Sequence, residues 1–139
     1  MSGKPFYRVV AGVALREGKL LVTRRPPGGP YPGWWEFPGG KVERGESDRE
    51  ALAREFREEL EVEARIGGEI ADGRHEYPEK IVDLRFYRIE ELRGKPRPAG
   101  VAEIRWIAPD ESEELEFLAG DREILERLRD PEWRREAFR

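Results

Sequence analysis

Phe37-Pro38-Gly39-Gly40-Lys41-Val42-Glu43-Arg44-Gly45-Glu46-Ser47 runs straight into Asp48-Arg49-Glu50-Ala51-Leu52-Ala53-Arg54-Glu55-Phe56-Arg57-Glu58-Glu59-Leu60. The first half cannot be helical, because Pro38 lacks a donor and its glycines favour unusual backbone angles. Ser47 stands three residues before Glu50, the capping-box arrangement, so the spacing predicts a helix from about Asp48 to Leu60. At about 100° per residue, Leu52, Phe56 and Leu60 share one stripe of that helix. Glu55, Glu58 and Glu59 cluster on the adjacent arc.

Three like charges within about one turn repel one another, and a cation on that arc would turn the repulsion into binding. Carboxylate oxygens suit hard cations, and magnesium commonly adds water and phosphate oxygens from a substrate. The helix alone does not decide, since a glutamate-rich face of this composition is more often a solvated surface than a metal site. The preceding turn decides it: adjacent glycines let the backbone approach a ligand and offer a carbonyl, and Glu46 adds an acid from the loop side.

Outward from this stretch, Phe6 to Leu15 and Leu20 to Thr23 flank Arg16-Glu17-Gly18-Lys19 and read as a β-hairpin. Pro26 to Gly33 is a loop, and Trp34 to Phe37 a short strand broken by Pro38-Gly39-Gly40. Val62 to Ala71 reads as an irregular strand interrupted by Gly67-Gly68, Lys80 to Ile89 as a longer one, and Val101 to Ala108 as another, after a loop from Arg93 to Gly100. Asp121 to Arg129 carries Ile124, Leu125 and Leu128 at helical spacing before Pro131 stops it, and residues 131–139 read as a loosely docked or frayed tail, part of which Trp133 and Phe138 argue is packed. The order is mixed α/β, with strands outnumbering helices.

At 139 residues without a low-complexity linker, the chain fits one domain, 1–139. With no cysteine and a lone His75, thiolate sites, cysteine nucleophiles and histidine metal clusters are excluded, so any metal takes oxygen ligands. Thirty acidic residues against 26 basic give a net charge of −4, which argues against a stable nucleic-acid complex. The apolar run from Val9 to Leu15 is too short to span a bilayer, and Met1 to Lys4 is no charged lead into a signal peptide; a cytoplasmic protein without membrane attachment is expected, monomeric or homodimeric.

Gly40, Glu46 after five residues, Arg54-Glu55 after seven more, then Glu58-Glu59 match the pattern G-x5-E-x7-R-E-x-x-E-E, and the chain thereby resembles the Nudix family. Trp35 to Glu43, WEFPGGKVE, looks like the lead of its MutT-like nucleoside triphosphate pyrophosphohydrolases. The resemblance implies the Nudix α/β/α sandwich, with a mixed β-sheet and a catalytic loop-helix. It also implies that Glu55, Glu58 and Glu59, with backbone carbonyl oxygen from Gly39-Gly40, hold Mg2+, for which Mn2+ could substitute. Glu55 is the favoured general base, with Glu58 the other candidate; Arg54 orients a neighbouring glutamate, and Glu46 belongs to the same catalytic set.

By the same resemblance, Arg25 in Thr23-Arg24-Arg25, Glu36, Phe37, Pro38 and Gly39 contact the nucleotide, and Asp121 reads the base edge. Arg25 as an exposed strand end and Asp121 as a helix cap are the plain alternatives. Tyr31, Trp34, Trp35, Tyr77 and Phe117 are candidates for stacking on a base. Two departures stand out: Leu60 where relatives usually place glycine, and Gly100, six residues before Trp106, where many relatives have an acid. Glu103 is the substitute candidate for that acid.

The implied reaction is Mg2+-dependent hydrolysis of a nucleoside triphosphate, a modified NTP or dNTP, to a monophosphate and pyrophosphate by metal-activated water. ADP-ribose, dinucleoside polyphosphates and other nucleoside-diphosphate derivatives are alternatives within the same chemistry. A noncatalytic nucleotide-binding domain is the alternative outside it.

Overall fold

The strand β1 (Phe6–Val13) organises the molecule because it is apolar on both faces. Val10 enters one core while Ala11 and Val13 enter the other, so the strand is stable only inside a sheet covered on both sides. The computed structural model describes residues 3–139; Met1 and Ser2, which belong to the predicted domain span and to the stretch read against a signal peptide, lie outside the described residues.

β1 pairs antiparallel with β5 (Gly39–Lys41) and parallel with β7 (Ile81–Arg93), which pairs antiparallel with β6 (Glu63–Glu76). The resulting mixed sheet has the order β5-β1-β7-β6. A second, antiparallel sheet joins β2 (Leu15–Arg16), β3 (Lys19–Arg24) and β4 (Trp35–Glu36), with β8 (Glu103–Ile107) also on β3.

The expected hairpin of Phe6–Leu15 with Leu20–Thr23 is therefore corrected. The turn exists at Glu17 and Gly18, both at positive φ, but only Leu15 and Arg16 pair across it. β1 departs into the mixed sheet because a two-stranded hairpin would leave one of its apolar faces uncovered. The predicted break at Gly39-Gly40 is also a strand, β5. An added Cβ on Gly39 would lie 2.0 Å from the Val10 carbonyl oxygen, so the absent side chain is what permits this pairing.

α1 (Asp48–Leu60) has the predicted bounds and capping box: Ser47 Oγ accepts from Glu50 N–H at 3.1 Å, and Glu50 Oε1 accepts from Ser47 N–H at 2.9 Å. It packs on one face of the mixed sheet, its Ala51, Leu52, Phe56 and Leu60 against Val10, Tyr87 and Ile89. On the opposite face, Val82, Leu84 and Phe86 meet Ile124, Leu125 and Leu128 of α2 (Arg122–Leu128). This is the expected α/β/α sandwich. β6 runs beyond Ala71 to Glu76, and its bulges bracket Gly67-Gly68, where irregularity was read.

The tail is more ordered than its sequence suggested. Pro131 occupies the first turn of α3 (Pro131–Ala137), where a missing donor costs nothing, and Asp130 accepts from Glu132 N–H at 3.0 Å. Trp133 and Phe138 pack against the core. Among the described residues no helix is long and apolar enough to cross a membrane.

Candidate active site

The mixed sheet and the β4–α1 connection enclose a cavity of about 270 Å³. Its floor is apolar, from Val9 and Ala11 of β1 with Val82 and Leu84 of β7. One end is bounded by Gly39, Gly40, Glu55 and Glu59, and the other by Phe37, Leu118 and Asp121.

At the acidic end, Gly40 leaves room for a carboxylate: a Cβ there would lie 2.5 Å from Glu55 Cδ. Glu59 Oε1 accepts from Gly39 N–H at 3.1 Å, fixing the helix to the glycine turn. Burial, reinforced by the charges of Glu36 and Glu55, pushes the Glu59 carboxyl up to about 9. Burial likewise raises Glu55, despite Arg54 beside it. Burial also holds Glu36 above the usual carboxylate range, although Arg25 Nη1 donates to it at 2.9 Å.

Arg54 ties the loop to the helix. Its Nε and Nη2 grip both oxygens of Glu46 at 2.7 and 3.0 Å, its Nη1 donates to Glu55 and Glu58 at 2.8 and 2.9 Å, and Nη2 also reaches the Lys41 carbonyl at 3.1 Å. This grip lowers the Glu46 carboxyl and raises the guanidinium further.

Of the predicted metal and catalytic residues, Glu55, Glu59, Gly39 and Gly40 line the cavity together. Glu58, with its side chain 58% exposed, stands on the solvent side of Arg54, while Arg54 and Glu46 lie behind the cavity wall. Among the described residues no three acidic or histidine side chains converge as a ready-made metal cage. The donor chemistry nevertheless fits a hard divalent ion: the carboxylates of Glu55 and Glu59 line one wall beside the Gly39-Gly40 turn, and burial, with the Glu55 charge acting on Glu59, leaves them short of the positive charge such an ion supplies.

Arg25, Glu36, Phe37, Gly39 and Asp121 all line the cavity; Pro38 does not, its carbonyl accepting from Gly12 N–H at 2.9 Å. Asp121 makes no side-chain cap on α2. Its Oδ2 instead accepts from Phe37 N–H at 3.0 Å, and burial with the nearby Glu36 charge pushes its carboxyl up to about 8.

Of the aromatic candidates, Tyr31 and Tyr77 line the cavity, whereas Trp35 and Phe117 are buried core and Trp34 meets Tyr31 edge-on. Tyr31 donates to Glu79 Oε1 at 2.6 Å, which ties the Pro26–Gly33 loop to the connection between β6 and β7.

Sequence reading missed Lys41 and Lys80. Lys80 Nζ lies 5.5 Å from the Tyr77 ring centroid and 5.8 Å from that of Tyr31, and burial followed by Arg25 lowers its proton affinity. The available signal was its place in the alternation of Val82 and Leu84.

The two departures from pattern have structural answers. Leu60 is fully buried within the helix, and the left-handed position that glycine would favour is Glu61, at φ 55°. Glu103 is paired with Arg24 and Arg105 and lies outside the cavity, so it brings no late-loop acid to it.

The NUDIX domain family matches residues 9–127. The chain is 36% identical over 118 residues to the CTP pyrophosphohydrolase of Escherichia coli (strain K12), covering 85% of this chain and 87% of that protein. It is 32% identical over 127 residues to the 8-oxo-dGTP diphosphatase of Haemophilus influenzae, covering 90% and 93%. The MutT protein of Methanosarcina mazei Go1 superposes with a TM-score of 0.83 at 26% identity, over 92% of this chain and 96% of that one. By its motif, its sandwich and these likenesses, the chain belongs to the Nudix family, as a MutT-like pyrophosphohydrolase.

Proposed function

We propose that the chain hydrolyses a nucleoside triphosphate, in normal or oxidised form, to the monophosphate and pyrophosphate with Mg2+, or Mn2+ in its place. The observation carrying this reading is that one cavity joins the acids Glu55 and Glu59 at one end to Asp121 and the Phe37 backbone at the other. Such a site can hold a phosphate chain and a base together. Similarity to a CTP pyrophosphohydrolase and an 8-oxo-dGTP diphosphatase supports a triphosphate over a dinucleotide or a sugar-linked diphosphate.

Glu55, Glu58, Glu59 and carbonyl oxygen of Gly39-Gly40 would hold the ion. When bound, a divalent ion neutralises phosphate charge and acidifies water. The chain's own residues do the rest. Arg54 aims Glu55, which is screened from bulk water and is the residue best placed to take a proton. Glu46 fixes Arg54 in turn. Arg25, Lys41 and Lys80 put three positive charges on the cavity wall, where phosphate oxygens need them. Val82 and Leu84 below, with Tyr31 and Tyr77 at the side, give a base an apolar bed.

The test is a hydrolysis panel of CTP, dCTP, 8-oxo-dGTP, ADP-ribose and a dinucleoside tetraphosphate, with Mg2+ and with Mn2+. Pyrophosphate release from a triphosphate is the expected result. Turnover confined to ADP-ribose or the dinucleotide refutes the substrate class, and metal-dependent nucleotide binding without turnover of any substrate refutes catalysis.

A further inference from the structure

The segment Arg97–Gly100 reaches the C-terminal end of α1, where the last helical carbonyls have no partner within the helix. Anchored by buried Pro96, it donates three hydrogen bonds there. Arg97 N–H goes to the Leu60 carbonyl, and Ala99 N–H and Gly100 N–H both go to that of Glu59, each at 3.0 Å. Gly100 approaches so closely that a Cβ on it would lie 3.1 Å from the Glu58 carbonyl oxygen and 3.3 Å from Glu59 Cα. Glu59 is thus held at both ends, its carbonyl by this segment and its carboxylate by Gly39 N–H.

We infer that Arg97–Gly100 is a positioning element for the acidic end of the cavity, with Gly100 the residue that sets where Glu58 and Glu59 stand. The inference rests on the reading of those two glutamates as ligands of a divalent ion. A side chain at residue 100 pushes on the backbone of both, and a displacement of a few tenths of an ångström at Glu59 Cα is carried to its carboxylate. Backbone donors thereby fix the acids from a segment that contributes no carboxylate of its own to the cavity.

The probe is Mn2+ alone, titrated into the full chain and followed by the paramagnetic resonance signal of the free ion. Gly100→Ala, Gly100→Val, Glu59→Gln and Lys95→Ala are compared with the parent, alongside far-ultraviolet circular dichroism and melting. Gly100→Val is expected to weaken Mn2+ binding about 10-fold, in the range seen when groups supporting metal ligands are altered, with Gly100→Ala intermediate. Exposed Lys95→Ala leaves binding unchanged. With CTP, the Gly100 variants lose kcat more than they raise KM.

If Gly100→Val does not fold, weakened Mn2+ binding by folded Gly100→Ala carries the inference, and parent-like binding by it overturns the inference. Folded Gly100 variants that bind Mn2+ like the parent, while Glu59→Gln does not, overturn the inference alone. A parent that binds no Mn2+, or Glu59→Gln that binds it undiminished, removes the reading of the site and the inference with it.

Discussion

The two faces of α1 differ in what they do for the molecule, though they are one residue apart. Phe56 and Leu60 are fully buried between the helix and the mixed sheet, while Glu55 and Glu59, their immediate predecessors, line the cavity. The apolar face gains free energy by leaving water. The acidic face loses some, because burial first, and then neighbouring carboxylates, raise the proton affinity of both carboxyls: Glu58 and Glu43 act on Glu55, Glu36 and Glu55 on Glu59. Stability and activity are therefore separable by substitution along a single helix.

The sharpest way to break this contrast is Glu59→Gln. Its kcat/KM for CTP or 8-oxo-dGTP should fall by about 100-fold or more, the scale of losing a group that acts on the reacting centre. Its melting temperature at pH 8 should be no lower than the parent's. A destabilised but active variant would reverse the assignment of the faces.

Phe56→Ala should do the opposite, costing about 3–5 kcal/mol in urea unfolding, the usual loss for an aromatic side chain in a packed core. Activity per folded molecule should change less than with Glu59→Gln.

The contrast also depends on pH. In the folded chain Glu59 and Asp121 hold their protons up to about 9 and about 8, whereas unfolded they release them near 4.5 and 3.8. Over that interval the unfolded state binds fewer protons, so stability falls as pH rises from about 4 towards 9. Asp121→Asn should flatten the decline in melting temperature between pH 5 and 8, and an unchanged slope would rule out Asp121 as a contributor.

The smallest expected effect lies at the end of the helix. Glu61 occupies the left-handed region without glycine's freedom, so Glu61→Gly should raise stability by about 0.5–1 kcal/mol in urea unfolding.

α1 was legible because its signals are local. Ser47, Glu50 and the Leu52-Phe56-Leu60 stripe lie within one short window, and the acids keep a fixed spacing from Gly40. What failed to show were pairings between distant segments. Leu15 to Leu20 has a hairpin's turn, yet nothing near it announces that β1 prefers β5 and β7. Gly39 and Gly40 have poor strand propensity and become strand only because Val10 can come close. Lys80 enters the cavity from far along the chain with no motif to announce it, whereas Asp121 was named through the family resemblance; it is the fold that sets both near Glu36. Gly100 looked like a missing acid, whereas its close seat against α1 depends on having no side chain at all.

The parallel pairing of β1 with β7 sets Phe6 opposite Ile81, with much of the chain between them. Such distant partners make for slow folding, since a long loop must close before the contact forms. During synthesis from the N-terminus, β1 must wait for β7 to emerge. The cavity floor, shared by these two strands, is then among the last surfaces completed, so a truncated or stalled chain would carry the whole glutamate motif and still lack a place for a nucleotide.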